Sequence, residues 1–341
     1  MAKKPEPIVR LAAQTARQIF ANSGNYMAFL TAAAHNFKYS FRDQLLIYAQ
    51  KPDATACAQT DFWNKHGRWV NKGTTGIALL VDTDKGYKLR HVFDMSDTNS
   101  RAGRTVPVWQ MRPQYEGPVV EALENSYGEF SNKADFAACL LETAKIIVED
   151  NFGDYYADLC RIKEGSLLEE LDDLNTEVWF KGLLENSVAY IMLTRCGIDP
   201  QEYFSGEDFA RIYDFNTLKT LAILGAAASD IAEMPLREIA STVLPLYWEE
   251  EKQNRTFAGN PDRQYNDGRT KRERSVEHGA DIQNRGRLST AQPGRAGGPA
   301  GRKIWDAAAQ FPRQSPARDL HRDAVDRGTE PVSYTHLTLP T

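Results

Sequence analysis

Cysteine is scarce in this chain. There are four in 341 residues, Cys57, Cys139, Cys160 and Cys196, and no two form a CxxC pair. That spacing argues against a disulfide framework and against a zinc knuckle, and it points to a reducing cytoplasm. No run of 18 or more apolar residues is present, which excludes a transmembrane helix. The opening Met1-Ala-Lys-Lys-Pro-Glu-Pro7 carries two lysines with no apolar core behind them, which argues against a secretion signal. The phosphate loop GxxxxGK[ST], the dinucleotide fingerprint GxGxxG, the zincin helix HExxH and the nucleophile elbow GxSxG are all missing. His35, His66 and His91 have no second His or Cys at ligand spacing. No cofactor, no metal site and no catalytic residue is expected.

What is present is a soluble, globular composition, 42% hydrophobic and 26% charged, whose formal net charge of -5 hides a segregation. Residues 1–120 hold 16 Lys+Arg against 9 Asp+Glu, a net of +7. Residues 121–251 hold 9 against 27, a net of -18, and residues 252–341 hold 16 against 10, a net of +6. Only the basic head and tail would attract a polyanion.

The head, 1–120, reads as α+β. Pro7–Ala21 carries Ile8, Leu11, Thr15 and Ile19 on one helical face, and Asn25–Ala34 is a second helix. Ser40 caps a third, with Phe41, Leu45 and Tyr48 inward and Pro52 beyond its end. Thr60 is read as the cap of a short fourth that ends at Gly67. The period then changes. Arg68–Val70, a turn at Asn71–Gly73 and Gly76–Val81 read as two strands, and Tyr87–Phe93 as a third.

The acidic middle, 121–251, reads as all-helical. Lys133–Asp150 is amphipathic. Ser166-Leu-Leu-Glu169 looks like a capping box, from which Leu167, Leu171, Leu174 and Val178 would run inward as far as Arg195 and Gly197. Asn216–Glu251 is a further helix that Pro235 and Pro245 should break or kink. The carboxylate pairs Glu169/Glu170 and Asp172/Asp173 read as solvated flanks. The stretch 252–331 has Ile, Leu, Val or Phe at only eight positions and reads as a disordered linker, because so little apolar surface cannot offset chain entropy.

The chemistry-bearing stretch is basic and aromatic: Phe37-Lys-Tyr-Ser-Phe-Arg42, then Phe62-Trp-Asn-Lys-His-Gly-Arg-Trp-Val-Asn-Lys-Gly73. Single-stranded nucleic acid is held by cations that track phosphates and aromatic faces that stack on bases. Phe41, Tyr48 and Phe62 have apolar partners at helical spacing and are assigned to packing. Trp63 and Trp69 flank charged residues and are the stacking candidates. Arg42, Lys65, Arg68, Lys72, Lys88 and Arg90 would line a positive surface. The backbone of Asn71–Gly73 could approach a phosphate, since Gly73 has no side chain in the way.

Tyr39-Ser-Phe-Arg-Asp-Gln-Leu-Leu-Ile-Tyr-Ala-Gln50, Phe62-Trp63, Gly67-Arg-Trp-Val70 and Lys72-Gly-Thr-Thr-Gly-Ile77 together resemble the N-terminal domain of ArdC-type antirestriction proteins. The resemblance covers roughly residues 7–110. It is greatest to the version at the start of large multidomain proteins of conjugative elements. It implies binding of single-stranded DNA and protection of incoming DNA from restriction. Two departures stand out: Thr75 occupies the place of the family turn's second lysine, and the family's zincin-like half is replaced by the acidic helices.

The last ten residues, 332–341, resemble a translated sequencing-adapter frame. On that reading the natural chain continues past about Pro331, toward DNA methylase or helicase domains. The expectation is therefore a non-enzymatic, cytoplasmic module with single-stranded DNA as partner and no membrane association. Its acidic region is available to protein partners as a scaffold or a DNA mimic, and a truncated N-terminal fragment of an enzyme is a further alternative.

Overall fold

The computed structural model describes residues 5–84, 86–100 and 108–258. Of the stretch 252–331 read as a disordered linker, residues 252–258 are instead helical, and the rest, with the adapter-like end, lies outside the described residues. Among the described residues no helix is long and apolar enough to cross a membrane.

The chain is mostly helical, with a small antiparallel sheet region near its N-terminus. It begins with three helices, α1 (Glu6–Ile19), α2 (Ser23–His35) and α3 (Phe41–Gln50). Asn22 caps α2 by accepting the Asn25 N–H, and Ser40 caps α3 by accepting the Asp43 N–H. β1 (Cys57–Ala58), α4 (Thr60–Lys65), β2 (Arg68–Val70), β3 (Ile77–Thr83), β4 (Gly86–Asp94) and β5 (Thr98–Ser100) follow. Thr60 is the first residue of α4; the position before it, Gln59, makes no side-chain cap.

Strand pairing departs from the sequence order. β3 and β4 form a hairpin, with Leu79 opposite Arg90 and Val81 opposite Lys88, and β1 pairs on the far side of β4. β2 does not pair with β3 across the Asn71–Gly73 turn. It pairs with β5, which short alternation could not reveal, placing Trp69 opposite Asn99. The open edge of β3 is covered by side chains from α3. The Gln50 amide donates to the Ala78 carbonyl (2.9 Å) and accepts the Ala78 N–H (2.9 Å), and Arg42 donates to the Leu80 carbonyl (3.3 Å). Polar cover of this kind stops an edge strand from recruiting another chain. Beneath it Ala12, Leu46, Ile47, Ile77, Leu79, Leu80 and Val92 make a closed apolar cluster.

The second half is helical: α5 (Pro113–Tyr127), α6 (Phe136–Ile162), α7 (Asp173–Arg195) and α8 (Leu218–Ala258), with 3₁₀ turns between them. The capping box is not a helix start. Leu167–Glu170 is one 3₁₀ turn, and α7 begins later, where Asp172 accepts the Asn175 N–H. Leu167 and Leu171 therefore lie outside α7 and the expected row is broken. Phe180, Leu183, Leu184, Val188 and Ile191 point inward, while Leu174 and Val178 are 71% and 57% exposed and Leu167 is also exposed. α8 contains both Pro235 and Pro245. A proline removes one ladder bond, and the buried row Leu221, Leu224, Ile231, Leu236, Ile239 and Val243 holds the helix through Pro235.

The chain divides into two compact units, with the break at Leu244/Pro245. In the first, the basic and acidic halves share one interior. The position 120 falls within α5, and α2 packs on α7, where the buried Tyr26 and Ser187 hydroxyls meet at 2.9 Å. Gly225 of α8 lies against the ring of Phe41. In the second unit the described residues are the end of α8, with Tyr247 and Trp248 edge to face.

Candidate nucleic-acid interface

The exposed centre of the region is the turn that follows β2. The Thr74 N–H donates to the Asn71 carbonyl (3.2 Å), closing a β-turn whose third residue is Gly73 at φ 89°. A Cβ there would meet nothing within 4 Å, so glycine is required by the backbone conformation and not by crowding. Lys72 and Gly73 sit exposed at the tip. The Asn71 N–H is not available to a phosphate, because it donates to the Asp97 carbonyl (2.9 Å). Gly76 is dictated by space, since a Cβ there would come within 2.9 Å of the Phe93 ring.

Alternation along β2 separates its side chains. Trp69 is 46% exposed. Arg68, of opposite parity, turns back into the protein, donating from Nε to the Thr98 hydroxyl (2.8 Å) and from Nη2 to the Thr98 carbonyl (2.9 Å). Lys65 at the end of α4 and Lys88 on β4 are exposed, and among the described residues neither they nor Lys72 form an ion pair.

The remaining expected residues serve the fold. Trp63 is not a stacking surface: it is fully buried, and its indole N–H is shared between the carbonyls of Ala58 (3.0 Å) and Phe93 (2.9 Å), pinning α4 to β1 and β4. Arg42 is committed in a fork to Asp82, with Nη1–Oδ1 at 3.2 Å and Nη2–Oδ2 at 2.8 Å. Arg90 reaches the buried Asp43 carboxylate at 2.9 Å. Burial lifts the Asp43 carboxyl above its usual range despite the two nearby arginines. Arginine is the residue of choice for such partly buried pairs, whereas a lysine stem keeps its head in water.

Five of the ten expected residues therefore remain at the surface: Lys65, Trp69, Lys72, Gly73 and Lys88, with Asn71 half-buried. Lys38 belongs to the basic, aromatic stretch, but nothing along the chain signals that Arg195 of α7 comes to the neighbouring Phe37 ring, 5.9 Å from its centroid. Among the described residues no group of three or more His, Cys, Asp or Glu side chains is placed to hold a metal ion. Burial also pushes the Cys57 thiol far up, and that of Cys196 to about 12, so neither is an activated nucleophile. No protein-family model, no curated protein and no solved structure matches this chain.

Proposed function

We propose that this chain is a single-stranded DNA-binding module of the ArdC N-terminal type, serving antirestriction or DNA transfer, and that the fragment itself catalyses no reaction. The observation that carries the reading is Trp69, presented outward from β2 immediately before the exposed turn of Lys72 and Gly73. An indole face beside lysine heads supplies stacking and phosphate attraction together. Lys65 of α4, which packs on β2, extends the cationic surface, and Lys88 adds a charge farther along β4, toward the Gly86 end of the hairpin.

The test is fluorescence anisotropy of a labelled oligonucleotide with the full chain, single-stranded against duplex, from about 50 to 200 mM salt. Three lysine–phosphate contacts predict a log–log salt slope of about -2 on a single strand. Lys72→Glu should flatten that slope, and Trp69→Ala should cost about 1–3 kcal/mol of binding. No binding at micromolar protein, or binding that both substitutions leave unchanged, would refute the reading.

One observation favours a second reading, an acidic scaffold that binds a protein. Leu174 and Val178 lie one turn apart on α7, exposed, within the segment of net charge -18. Exposed apolar side chains rimmed by carboxylates fit a basic, amphipathic partner. Leu174→Glu with Val178→Glu would abolish antirestriction with DNA binding intact if that reading holds.

A further inference from the structure

Two exposed apolar features sit in segments of opposite charge. On the head, Trp69 is 46% exposed, with the exposed lysines Lys65 and Lys72 before and after it along the chain. On α7, Leu174 and Val178 are 71% and 57% exposed, and Gly182 continues their four-residue row with open space where a Cβ would stand. α7 meets the head at Ser187, where the Tyr26 hydroxyl lies 2.9 Å away. Leu174 is about 20 Å from that point along the helix, so the row lies clear of α2.

Local charge sharpens the contrast. Asp173, Glu177 and Glu185 accompany the apolar row along α7. The one lysine of this helix, Lys181, is engaged by Glu149 of α6 and lies 5.3 Å from the Phe152 ring centroid. The pairs Arg42–Asp82, Arg90–Asp43 and Lys51–Asp97 join groups within residues 1–120 and leave that segment's net of +7 unchanged. Lys163–Asp173 and Lys181–Glu149 likewise leave the net of -18 in residues 121–251. An outward indole is a frequent interface anchor, because it buries a large apolar face at small cost in side-chain entropy. Leucine and valine one turn apart offer it an apolar seat, beside carboxylates that attract lysine heads.

We propose that the Trp69–Lys72 surface of one molecule docks on the Leu174–Val178 face of α7 in a second copy of this chain. Trp69 packs against the two aliphatic side chains, and Lys65 and Lys72 face the carboxylates of α7. A second copy is the favoured occupant because the chain itself supplies both halves of a contact matched in polarity and charge. The contact is heterologous, so a pair still presents one surface of each kind and assembly continues beyond two unless a ring closes. The inference rests on the acidic scaffold reading and names its partner. On the DNA reading, a strand and a second copy compete for Trp69.

The experiment is sedimentation velocity of the full chain at about 100 μM protein, in about 50 and about 500 mM sodium chloride. The wild type should show species larger than the monomer in low salt, dispersed by high salt. Two variants each remove one surface: Trp69→Ala with Lys72→Glu, and Leu174→Lys with Val178→Lys. Each alone should be monomeric. Mixed in equal amounts they should form a one-to-one dimer, because each retains the surface that the other lacks; a misfolded variant could not be rescued in this way. A wild type monomeric in low salt, self-association that survives in either variant, or a mixture that stays monomeric would overturn the inference. A monomeric wild type together with loss of antirestriction in Leu174→Glu with Val178→Glu would remove this partner and leave the scaffold reading standing.

Discussion

Asp94 is where a single substitution should tell most about how the strand that presents Trp69 is held. Its side chain is buried at the end of β4, and Oδ1 accepts the N–H groups of Thr55 and Ala56, each at 2.8 Å. Oδ2 accepts the Ser96 N–H at 2.9 Å, and Lys51 lies 3.9 Å away. The carboxylate thus ties the start of β1 to the turn that launches β5, the strand that carries Trp69's partner Asn99. Asp94→Asn preserves shape but sets an amide NH₂ against one of those N–H donors and makes the remaining bonds neutral. Hydrogen bonds to a charged acceptor are worth about 1.5–3 kcal/mol each and neutral ones about 0.5–1.5, so the expected loss is about 2–4 kcal/mol.

The same geometry fixes the pH dependence. Burial alone would raise the Asp94 carboxyl; the N–H donors outweigh it and hold the group below the usual carboxylate range. A carboxylate whose folded pKa lies below its unfolded value contributes full stability above about pH 4–5. It loses that contribution as pH falls through the folded value. Urea unfolding followed by circular dichroism should therefore show a constant gap between wild type and Asp94→Asn from pH 7 to about 5, closing in acid. A gap under about 0.5 kcal/mol at pH 7, or one that widens on acidification, would refute the assignment.

The other expectations concern packing. Gly225→Ala, which helix propensity alone would favour by about 1 kcal/mol, should instead destabilise by about 1–3 kcal/mol in a thermal melt, because the new Cβ would lie 2.2 Å from the Phe41 ring. Trp63→Phe should cost about 2–4 kcal/mol by urea unfolding, since it leaves the Ala58 and Phe93 carbonyls short of a donor and empties volume in the core. Trp69→Phe, at the surface, should stay within about 0.5 kcal/mol. Equal losses for the two tryptophans would contradict their opposite placement.

The sequence by itself determined what depends on neighbours along the chain. Ser40 caps α3 and Gly197 follows the end of α7 at φ 80°, because a capping hydroxyl and a left-handed glycine act within one turn. The strands at Arg68–Val70, Ile77–Thr83 and Gly86–Asp94 and the Gly73 turn were legible for the same reason. Tertiary structure alone decided what depends on partners far away. Trp63 and Trp69 stand in the same kind of local sequence, yet the carbonyls of Ala58 and Phe93 claim one and leave the other outward. Arg42 and Arg90 read as surface cations until Asp82 and Asp43 are brought against them. Leu174 and Val178 have the spacing of a core face, but the face of α7 that packs on its neighbours is the one bearing Phe180, Leu183, Leu184 and Val188, which leaves them to solvent. Arg195 and Lys38 are separated by most of the folded chain and meet only because α2 and α7 pack together, each against the ring of Phe37. Burial and charge pairing are properties of the assembled interior, and periodicity carries no record of which distant group will arrive.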